Sequence, residues 1–169
     1  MFKKLNINFD NINLDNLVGN QETMPYRKFL QYEIKDHDYL NSLIYSKIKF
    51  NIKPDYINVT KILPPGTSPH TDSWKTALNI YITVGDDKTY FWKHTTEGCL
   101  RIDTHETMSY NDKNMILIGS FTANKGDCYL FDTHTAHSVE VKNESRYILR
   151  FAWKKKTFRE VENSIVIMS

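Results

Sequence analysis

The sequence contains few cysteines, the residues that cross-link secreted proteins through disulfide bonds. It has only two cysteines, Cys99 and Cys128, and two cysteines do not form a disulfide framework in a chain of 169 residues. Neither cysteine has a CxxC partner, which argues against a closed zinc site. We therefore expect an intracellular protein, in the reducing environment of the cytoplasm.

Long apolar runs are also missing. The N-terminus, MFKKLNINFDNINLDN, alternates apolar and polar residues and lacks an apolar run of signal-peptide length. No segment approaches the roughly 20 consecutive apolar residues that a transmembrane helix needs. The sequence therefore predicts a soluble protein that does not cross a membrane.

A strong charge of one sign is absent as well. There are 22 basic and 20 acidic residues, so the formal net charge is +2. A dedicated nucleic-acid-binding domain usually carries a basic field on one face. The near balance of charge argues against DNA or RNA as a partner, and the sequence leaves the oligomeric state open.

What the sequence does contain is a change of period near Pro54. Between residues 24 and 48, apolar residues recur at steps of three and four, which predicts two helices separated near residues 35–38. Asp36 and Asp38 are the candidate N-caps of the second helix, because their carboxylates can accept the free amide hydrogens of a first turn.

Beyond Pro54, short runs rich in β-branched and aromatic residues predict strands. These runs cover residues 56–63, 76–84, 88–93, 99–104, 115–122, 128–133, 137–141 and 146–154. Turn-forming stretches such as PPG, GDD and NKGD separate them. Short strands without intervening helices are typical of a sandwich or barrel of the jelly-roll kind. We predict one domain, in which residues 1–54 form a helical cover, 55–155 the β core and 156–169 a tail.

The stretch PPGTSPHTDSW, residues 64–74, holds the first candidate metal ligands. Residues i and i+2 of an extended segment point to the same face, so His70 and Asp72 are placed to share one ion. An isolated HxD is more often a solvated polar loop, so a third ligand is needed. His137 opens a predicted strand and is favoured, while His134 lies in the preceding bend and is the alternative. Two histidines and one carboxylate form the facial triad of non-haem Fe(II) oxygenases.

The predicted strand in ESRYILRFAW places Arg146 on the inward face, where its charge needs an anionic partner. Arg146 and Arg150 face one way along this strand with Ile148, whereas the opposite face suits packing under the helices. That opposite face consists of Tyr147, Leu149, Phe151 and Trp153. An arginine inside a barrel requires an anionic partner, and guanidinium binds a carboxylate through two parallel hydrogen bonds. The partner is either an internal Asp or Glu, or a dicarboxylate co-substrate beside the iron site.

Taken in order, HTD, GDCYLFD, His137 and RYILRF resemble the 2-oxoglutarate/Fe(II)-dependent oxygenase superfamily over about residues 55–155. The stretch HTDSWKTALNIYI is similar to small bacterial and phage members that resemble prolyl or amino-acid hydroxylases. The resemblance implies a mainly β fold, a double-stranded β-helix of the jelly-roll or cupin kind with N-terminal helices packed on one face. It also implies that Fe(II) is bound by His70, Asp72 and His137, and that Arg146 binds the distal carboxylate of 2-oxoglutarate.

One position departs from the pattern of this superfamily. Many members pair the arginine with a serine or threonine two residues further on, and here that residue is Ile148. A hydroxyl from another strand then has to make the second contact, and the candidates are Tyr81, Thr89 and Tyr90. Arg150 is assigned to the co-substrate or to an acidic substrate. Asn79 is assigned to the keto acid, with an inward residue that satisfies the backbone as the alternative.

The implied activity is hydroxylation of an unactivated C–H bond in a small molecule or a peptide side chain. The co-substrates are 2-oxoglutarate and O2, the products are succinate and CO2, and ascorbate is an accessory reductant. One alternative is an oxidative demethylase of nucleic acid, which the near-neutral charge argues against. The other is a cupin-like metal- or sugar-binding module without redox activity, which leaves an inward Arg146 without a purpose.

Substrate specificity is assigned to the loops at residues 86–88, 94–98 and 105–114. Two of their histidines, His94 and His105, face either the substrate or the solvent. Three aromatic residues are candidates for the pocket wall, with plain core packing as the alternative: Trp74, Tyr90 and Trp92.

Overall fold

Antiparallel strands make up most of the chain that the structure, a computed structural model, describes. The described residues are 1–22, 29–83, 85–94, 99–102, 108–110 and 115–168. For residues 94, 99–102 and 108–110 the description covers the backbone only. The strands are β1 (Phe2–Asn8), β2 (Val18–Gln21), β3 (Phe29–Ile34), β4 (Ile48–Phe50), β5 (Tyr56–Ile62), β6 (Gly66–Thr71), β7 (Thr76–Tyr81), β8 (Lys88–His94), β9 (Cys99–Ile102), β10 (Met108–Tyr110), β11 (Met115–Thr122), β12 (Asp127–Asp132), β13 (Ala136–Glu140), β14 (Arg146–Trp153) and β15 (Ile165–Ile167). The helices are α1 (Leu14–Leu17), α2 (His37–Tyr45) and α3 (Phe158–Ser164).

Two large sheets contain nearly all of these strands. The larger sheet has the order β1-β12-β7-β14-β5-β3-β2, and the smaller sheet has the order β11-β8-β13-β6-β10-β9. β15 pairs with β4 in a separate two-stranded sheet. Most neighbouring strands in the two sheets are not consecutive along the chain, as in jelly rolls; the exceptions are β2 with β3 and β9 with β10. The predicted fold class, mainly β and of the jelly-roll or cupin kind, is confirmed.

The two large sheets contribute side chains to one shared hydrophobic cluster. The larger sheet supplies Tyr81, Phe131 and Ile148, and the smaller sheet supplies Phe91, Phe121 and Val139. Alternate residues of a strand point to opposite faces, so this cluster defines the inner faces of both sheets. The candidate site lies on these inner faces.

The helices cover the outer face of the larger sheet. Leu149, Phe151 and Trp153 of β14 are fully buried in a second cluster, together with Leu40 of α2 and Val161 of α3. The outward face predicted for this strand therefore packs under helices as expected. None of the helices in the described ranges is long and apolar enough to cross a membrane.

The helical prediction for the first third of the chain is largely wrong. Residues 29–34 form β3, which pairs with β5 from Phe29 opposite Ile62 to Tyr32 opposite Val59, so long-range pairing overrides the local period of three and four. Residues 1–54 also supply β1, β2 and β4, so more of the described residues of this segment lie in strands than in helices. Of the two predicted helices, the structure describes α2, and Asp36 is its N-cap, since its carboxylate accepts a hydrogen bond from the Tyr39 amide at 2.8 Å.

Candidate metal centre and anion site

The three predicted metal ligands lie together on the inner face of the smaller sheet. β6 and β13 are paired neighbours, and His70 lies directly opposite His137 in their register. Asp72 directly follows β6, where its amide donates to the Thr133 carbonyl at 3.0 Å. One ligand atom from each of the three side chains lies within 4.8 Å of the others.

Backbone carbonyls orient both imidazoles. Nδ1 of His70 lies 2.8 Å from the Ser68 carbonyl oxygen, and Nδ1 of His137 lies 3.0 Å from that of Thr135. A carbonyl can only accept, so each Nδ1 carries a hydrogen, and Nε2 is the ring nitrogen left to bind a metal. The two Nε2 atoms lie 3.6 and 3.9 Å from the Asp72 carboxylate oxygens, which leaves three ligand atoms facing one another.

The charges at this centre favour the protonation states that a metal requires. Burial raises the pKa of Asp72, but the Arg150 guanidinium and then the two histidines outweigh burial and hold this pKa well below its usual value. Burial, with a smaller effect of His70, lowers the pKa of His137 to about 4. The site therefore presents a carboxylate and a neutral imidazole near pH 7, and metal binding needs both in these forms.

The alternative third ligand, His134, lies apart from this group. Its side chain is exposed, and its backbone amide donates to Asp132 Oδ1 at 3.0 Å. In the described part of the chain, the group of possible ligands contains His137 and not His134. The structure thus separates two histidines that the sequence left as alternatives.

Arg146 is buried without an anionic partner among the described residues. The residue is 1% exposed, Nη2 donates to Thr89 Oγ1 at 3.3 Å, and the guanidinium lies 4.3 Å from the centre of the Tyr81 ring. Nε and Nη1 have no hydrogen-bond partner. The internal ion pair considered from the sequence is therefore not formed in the described ranges. Thr89 supplies the hydroxyl contact, whereas the third candidate, Tyr90, donates to Glu140 instead.

Arg150 and Asn79 lie next to each other on neighbouring strands. They are opposite in the register of β14 and β7, and the Arg150 guanidinium donates to Asp72. Nε of Arg150 and Oδ1 of Asn79 are buried without partners. The structure therefore places Arg150 against a candidate metal ligand, and Asn79 beside it with a free acceptor.

The aromatic predictions for the pocket wall have different outcomes. Trp74 stacks on Tyr56, with ring centres 5.5 Å apart and planes 3° apart, and is not among the residues that line the cavity of the candidate site. Tyr90 and Trp92 alternate with the inward Phe91 on β8, and Trp92 Nε1 donates to Ser138 Oγ at 2.9 Å. Their prediction as pocket-lining residues is wrong, because they lie on the other face of the strand. The side chain of His94, as well as His105 and most of the predicted specificity loops, lies outside the described residues.

The cavity at the centre also has walls that the sequence analysis did not identify. It is lined by both histidines, Asp72, Asn79, Tyr81, Thr89 and Arg150, and in addition by Phe29, Thr60, Thr67 and Phe131. Thr60 lies on β5, YINVTKI, where every second residue points inward. The period of two could therefore have predicted that Thr60 faces the cavity. Phe29 had no such signal, because its segment was predicted to be helical.

Comparisons with known proteins identify no family for this chain. No family model matches the sequence, and neither does any curated protein. Among solved structures, Escherichia coli YcfD is similar with a TM-score of 0.47 and 14% identity over 86% of this chain and 43% of YcfD. The ribosomal oxygenase YcfD in complex with cobalt and 2-oxoglutarate has a TM-score of 0.44, 14% identity and coverages of 86% and 38%. Hydroquinone 1,2-dioxygenase PnpCD has a TM-score of 0.41, 14% identity and coverages of 94% and 95%. The chain thus spans less than half the length of YcfD, and its function has to be inferred from its own residues.

Proposed function

We propose that this protein is an Fe(II)- and 2-oxoglutarate-dependent oxygenase that hydroxylates an unactivated C–H bond of a small molecule or a peptide side chain. The observation that carries the proposal is the combination of two features on the inner faces of the sheets. One is the convergence of His70, Asp72 and His137 within 4.8 Å. The other is a fully buried arginine, Arg146, with two free donor nitrogens.

The donor set fits ferrous iron. Two neutral imidazole nitrogens and one carboxylate are the ligands of the facial triad, which leaves other coordination positions open. The described part of the chain brings no cysteine into this group, so soft ligands that would favour a closed zinc site are missing from it. His70, Asp72 and His137 would hold the iron.

The arginine fits the distal carboxylate of 2-oxoglutarate. A buried guanidinium without a counter-ion is unfavourable, and Nε and Nη1 of Arg146 are free to donate hydrogen bonds. Nη1 together with Nη2 can bind a carboxylate end-on through two parallel hydrogen bonds. Thr89 and Tyr81 fix its position from two sides. Asn79, with a free Oδ1, is a further candidate contact to the co-substrate.

Bound Fe(II) and 2-oxoglutarate would supply the activation of O2 and the oxidation of the substrate, with release of succinate and CO2. The chain's own residues orient these groups and keep water out. Carbonyls of the backbone hold the imidazoles, and Arg150 holds the Asp72 carboxylate in its charged form. Phe131, Val139 and Ile148 form an apolar wall around the cavity, which lowers the local dielectric and strengthens the polar contacts.

The test is the formation of succinate from 2-oxoglutarate by the purified chain with Fe(II), in the absence of a substrate. We expect slow turnover in the wild-type protein and none in His137→Ala, because loss of one ligand removes the metal. The matched control is His134→Ala, an exposed histidine three residues earlier, which should retain wild-type turnover and iron binding. Equal turnover and iron binding in wild type and both variants would refute the proposal.

The alternative of a metal-binding module without redox activity predicts a different result. Such a module needs the three metal ligands but gives Arg146 no ligand to bind. Anaerobic titration of the Fe(II)-loaded protein with 2-oxoglutarate distinguishes the two, because chelation of the iron by the keto acid produces a weak visible charge-transfer band. Iron binding without this band, and without succinate formation, would favour the module.

A further inference from the structure

A second group of buried polar side chains lies beside the metal centre, on β5 and β3. In the register of these strands, Asn58 is opposite Arg150, and Gln31 is opposite Thr60. Paired residues of an antiparallel sheet lie on the same face, so Gln31, Asn58 and Thr60 share the inner face with Arg150. We call these three residues the amide row. Arg150, which is opposite Asn58 and donates to Asp72, is thus a neighbour of both the row and the candidate metal centre.

The amide row is buried, and two of its side-chain atoms lack hydrogen-bond partners. Asn58 is 0% exposed, and Gln31 and Thr60 are each 5% exposed. Oε1 of Gln31 and Nδ2 of Asn58 have no partner in the described part of the chain, and the Thr60 hydroxyl reaches Asn58 Oδ1 at 3.5 Å. Nearly all buried polar atoms in folded proteins are hydrogen-bonded, so unpaired ones on adjacent strands require an explanation. Thr60 and Arg150 both line the cavity that contains the three candidate metal ligands, whereas Asn58 and Gln31 stand opposite Arg150 and Thr60 on neighbouring strands and are not part of its lining. A ligand in this cavity therefore meets the row first at Thr60.

The chemistry of the row selects a neutral ligand that both donates and accepts. The two side-chain amides together offer donors and acceptors but carry no charge, and the charge of Arg150 is already paired with Asp72. An ion placed here would lose its hydration without gaining a counter-ion, which is strongly unfavourable. An amide group has one face that donates and one that accepts, and so matches Asn58 and Gln31 in either orientation of their side chains.

We propose that the amide row is the substrate-binding subsite of this protein and that it binds an amide group of the substrate, through Asn58 and Gln31. This inference rests on the proposed function, because it assigns the occupant of the row as the molecule to be oxidised. The inference divides the inner face of the larger sheet into a co-substrate side and a substrate side. β14 runs between the sides, with Tyr81 and Asn79 of β7 on the co-substrate side and β5 and β3 on the substrate side.

The test uses small amides as probes of the full chain, observed through the side-chain NH2 signals of Gln31 and Asn58 in ¹⁵N NMR spectra. Propionamide represents a primary carboxamide, N-methylacetamide represents a peptide group, and propionate is the charged control of similar shape. We expect at least one amide to shift both signals in a saturable manner and propionate to leave them in place. Binding will be weak, because few atoms of such a probe make contacts. A preference for N-methylacetamide points to a peptide backbone and a preference for propionamide to a side-chain carboxamide, and either supports the inference.

Two substitutions separate a binding role from a structural one. Asn58→Leu and Gln31→Met replace each amide by an apolar side chain of similar size, so they remove the unpaired polar atom without opening a large cavity. We expect each variant to unfold at the same temperature as wild type or at a higher one. In each variant, the NH2 signal of the amide that remains, Gln31 or Asn58, should no longer shift when the amide probe is added. The control is Gln21→Met, the same change at an exposed position of β2, which should retain the response.

Two results would overturn the inference. If neither amide shifts the two signals, the row is solvated by buried water only. If both variants unfold at clearly lower temperatures and still bind the probe, the row is structural. The failure of the proposed function is recognised separately, since it appears as an absence of iron binding and of succinate formation in the wild-type protein. Amide binding in a protein without that activity would leave the subsite in place and remove only the oxygenase assignment.

Discussion

Arg146 and Arg150 share one face of β14 but have different neighbours. Arg150 donates to the Asp72 carboxylate, and that pair joins the larger sheet to the metal centre. Arg146 contacts a hydroxyl and an aromatic ring, and no described carboxylate is paired with it. Under the proposed function, these two arginines on the same strand face have different roles: Arg150 holds a candidate metal ligand, and Arg146 binds the anionic co-substrate.

The first prediction concerns Arg146→Gln. Loss of a bidentate, charge-assisted contact of about 3 kcal/mol corresponds to a roughly 150-fold increase in the Kd for 2-oxoglutarate. The thermal stability should not fall, because the guanidinium has no carboxylate partner to lose. Anaerobic titration of the Fe(II) protein measures the Kd, and Arg159→Gln, an exposed arginine on α3, is the control. An unchanged Kd in Arg146→Gln would contradict the role assigned to this arginine.

At the scale of elements, the pairing of β6 with β13 decides the geometry of the metal centre. Gly66 begins β6, opposite Glu140 of β13, with a φ of 103° that favours glycine. A Cβ atom at this position would lie 1.9 Å from the Val139 carbonyl oxygen. The strands approach closely at Gly66, and His70 lies opposite His137 further along the same pair, beyond a change of register between His137 and Val139.

The second prediction is that Gly66→Ala destabilises the fold by about 2 kcal/mol or more, from the strained φ together with the overlap with backbone. Metal affinity should fall as well, because the strand pair has to move apart. Urea unfolding and metal titration measure the two effects. Gly85→Ala is the control, since a Cβ there has its nearest neighbour at 3.7 Å. Equal stabilities of the two variants would show that the pair tolerates a side chain at residue 66.

α3 begins with a complete capping box. The Thr157 hydroxyl accepts from the Glu160 amide, and the Glu160 carboxylate accepts from the Thr157 amide. Phe158 and Val161 then direct the helix against the outer face of the larger sheet. A local motif of four residues thus positions the helix that closes the hydrophobic cluster of that face.

The third prediction concerns this box and its pH dependence. Hydrogen bonds from the Thr157 amide and hydroxyl, with that from Lys156, lower the pKa of Glu160 to about 2. Because the pKa is depressed in the folded state, its contribution to stability is complete above the usual value of 4.5 and is lost as the pH falls towards 2. Thr157→Ala should destabilise the protein by about 1 kcal/mol at pH 7, as measured by urea unfolding. Glu160→Gln should remove this part of the pH dependence, whereas Glu144→Gln, an exposed change of the same charge, should preserve it.

At the scale of the whole molecule, the metal centre links the two large sheets. His70 and His137 belong to the smaller sheet, while Asp72 is paired with Arg150 of the larger sheet. Each sheet also contributes to the inner hydrophobic cluster. A bound ion is therefore expected to stabilise the packing of the two sheets, in addition to any catalytic role.

The fourth prediction is that a divalent metal raises the unfolding temperature. Mn(II), which does not start the oxidation, should stabilise the chain by ~2.7 kcal/mol at a concentration of 100 times its Kd. For a chain of this size that corresponds to an increase in Tm of roughly 5–10 °C, measured by calorimetry. His137→Ala should show no increase and His134→Ala the full one. An increase of the same size in His137→Ala would place the metal elsewhere.

Much of the candidate site was visible in local sequence patterns. The HTD spacing, the strand that follows GDCYLFD and the alternation in ESRYILRFAW all depend on the period of two of an extended chain, which few neighbouring residues determine. The helical prediction failed where that local rule conflicted with distant contacts. Residues 29–34 have apolar spacing compatible with a helix, but pairing with β5 makes them a strand.

The sequence by itself determined which residue types stand on the same strand face, because side-chain direction along an extended chain follows from the backbone alone. It thus identified His70, Asp72, Arg146 and Arg150 as inward candidates. Only the tertiary structure decided between His137 and His134, placed Arg150 against Asp72, and brought Gln31 beside Asn58 and Thr60. These arrangements depend on which distant strands pair and in which register, and such pairing is set by the packing of the whole molecule rather than by any local pattern.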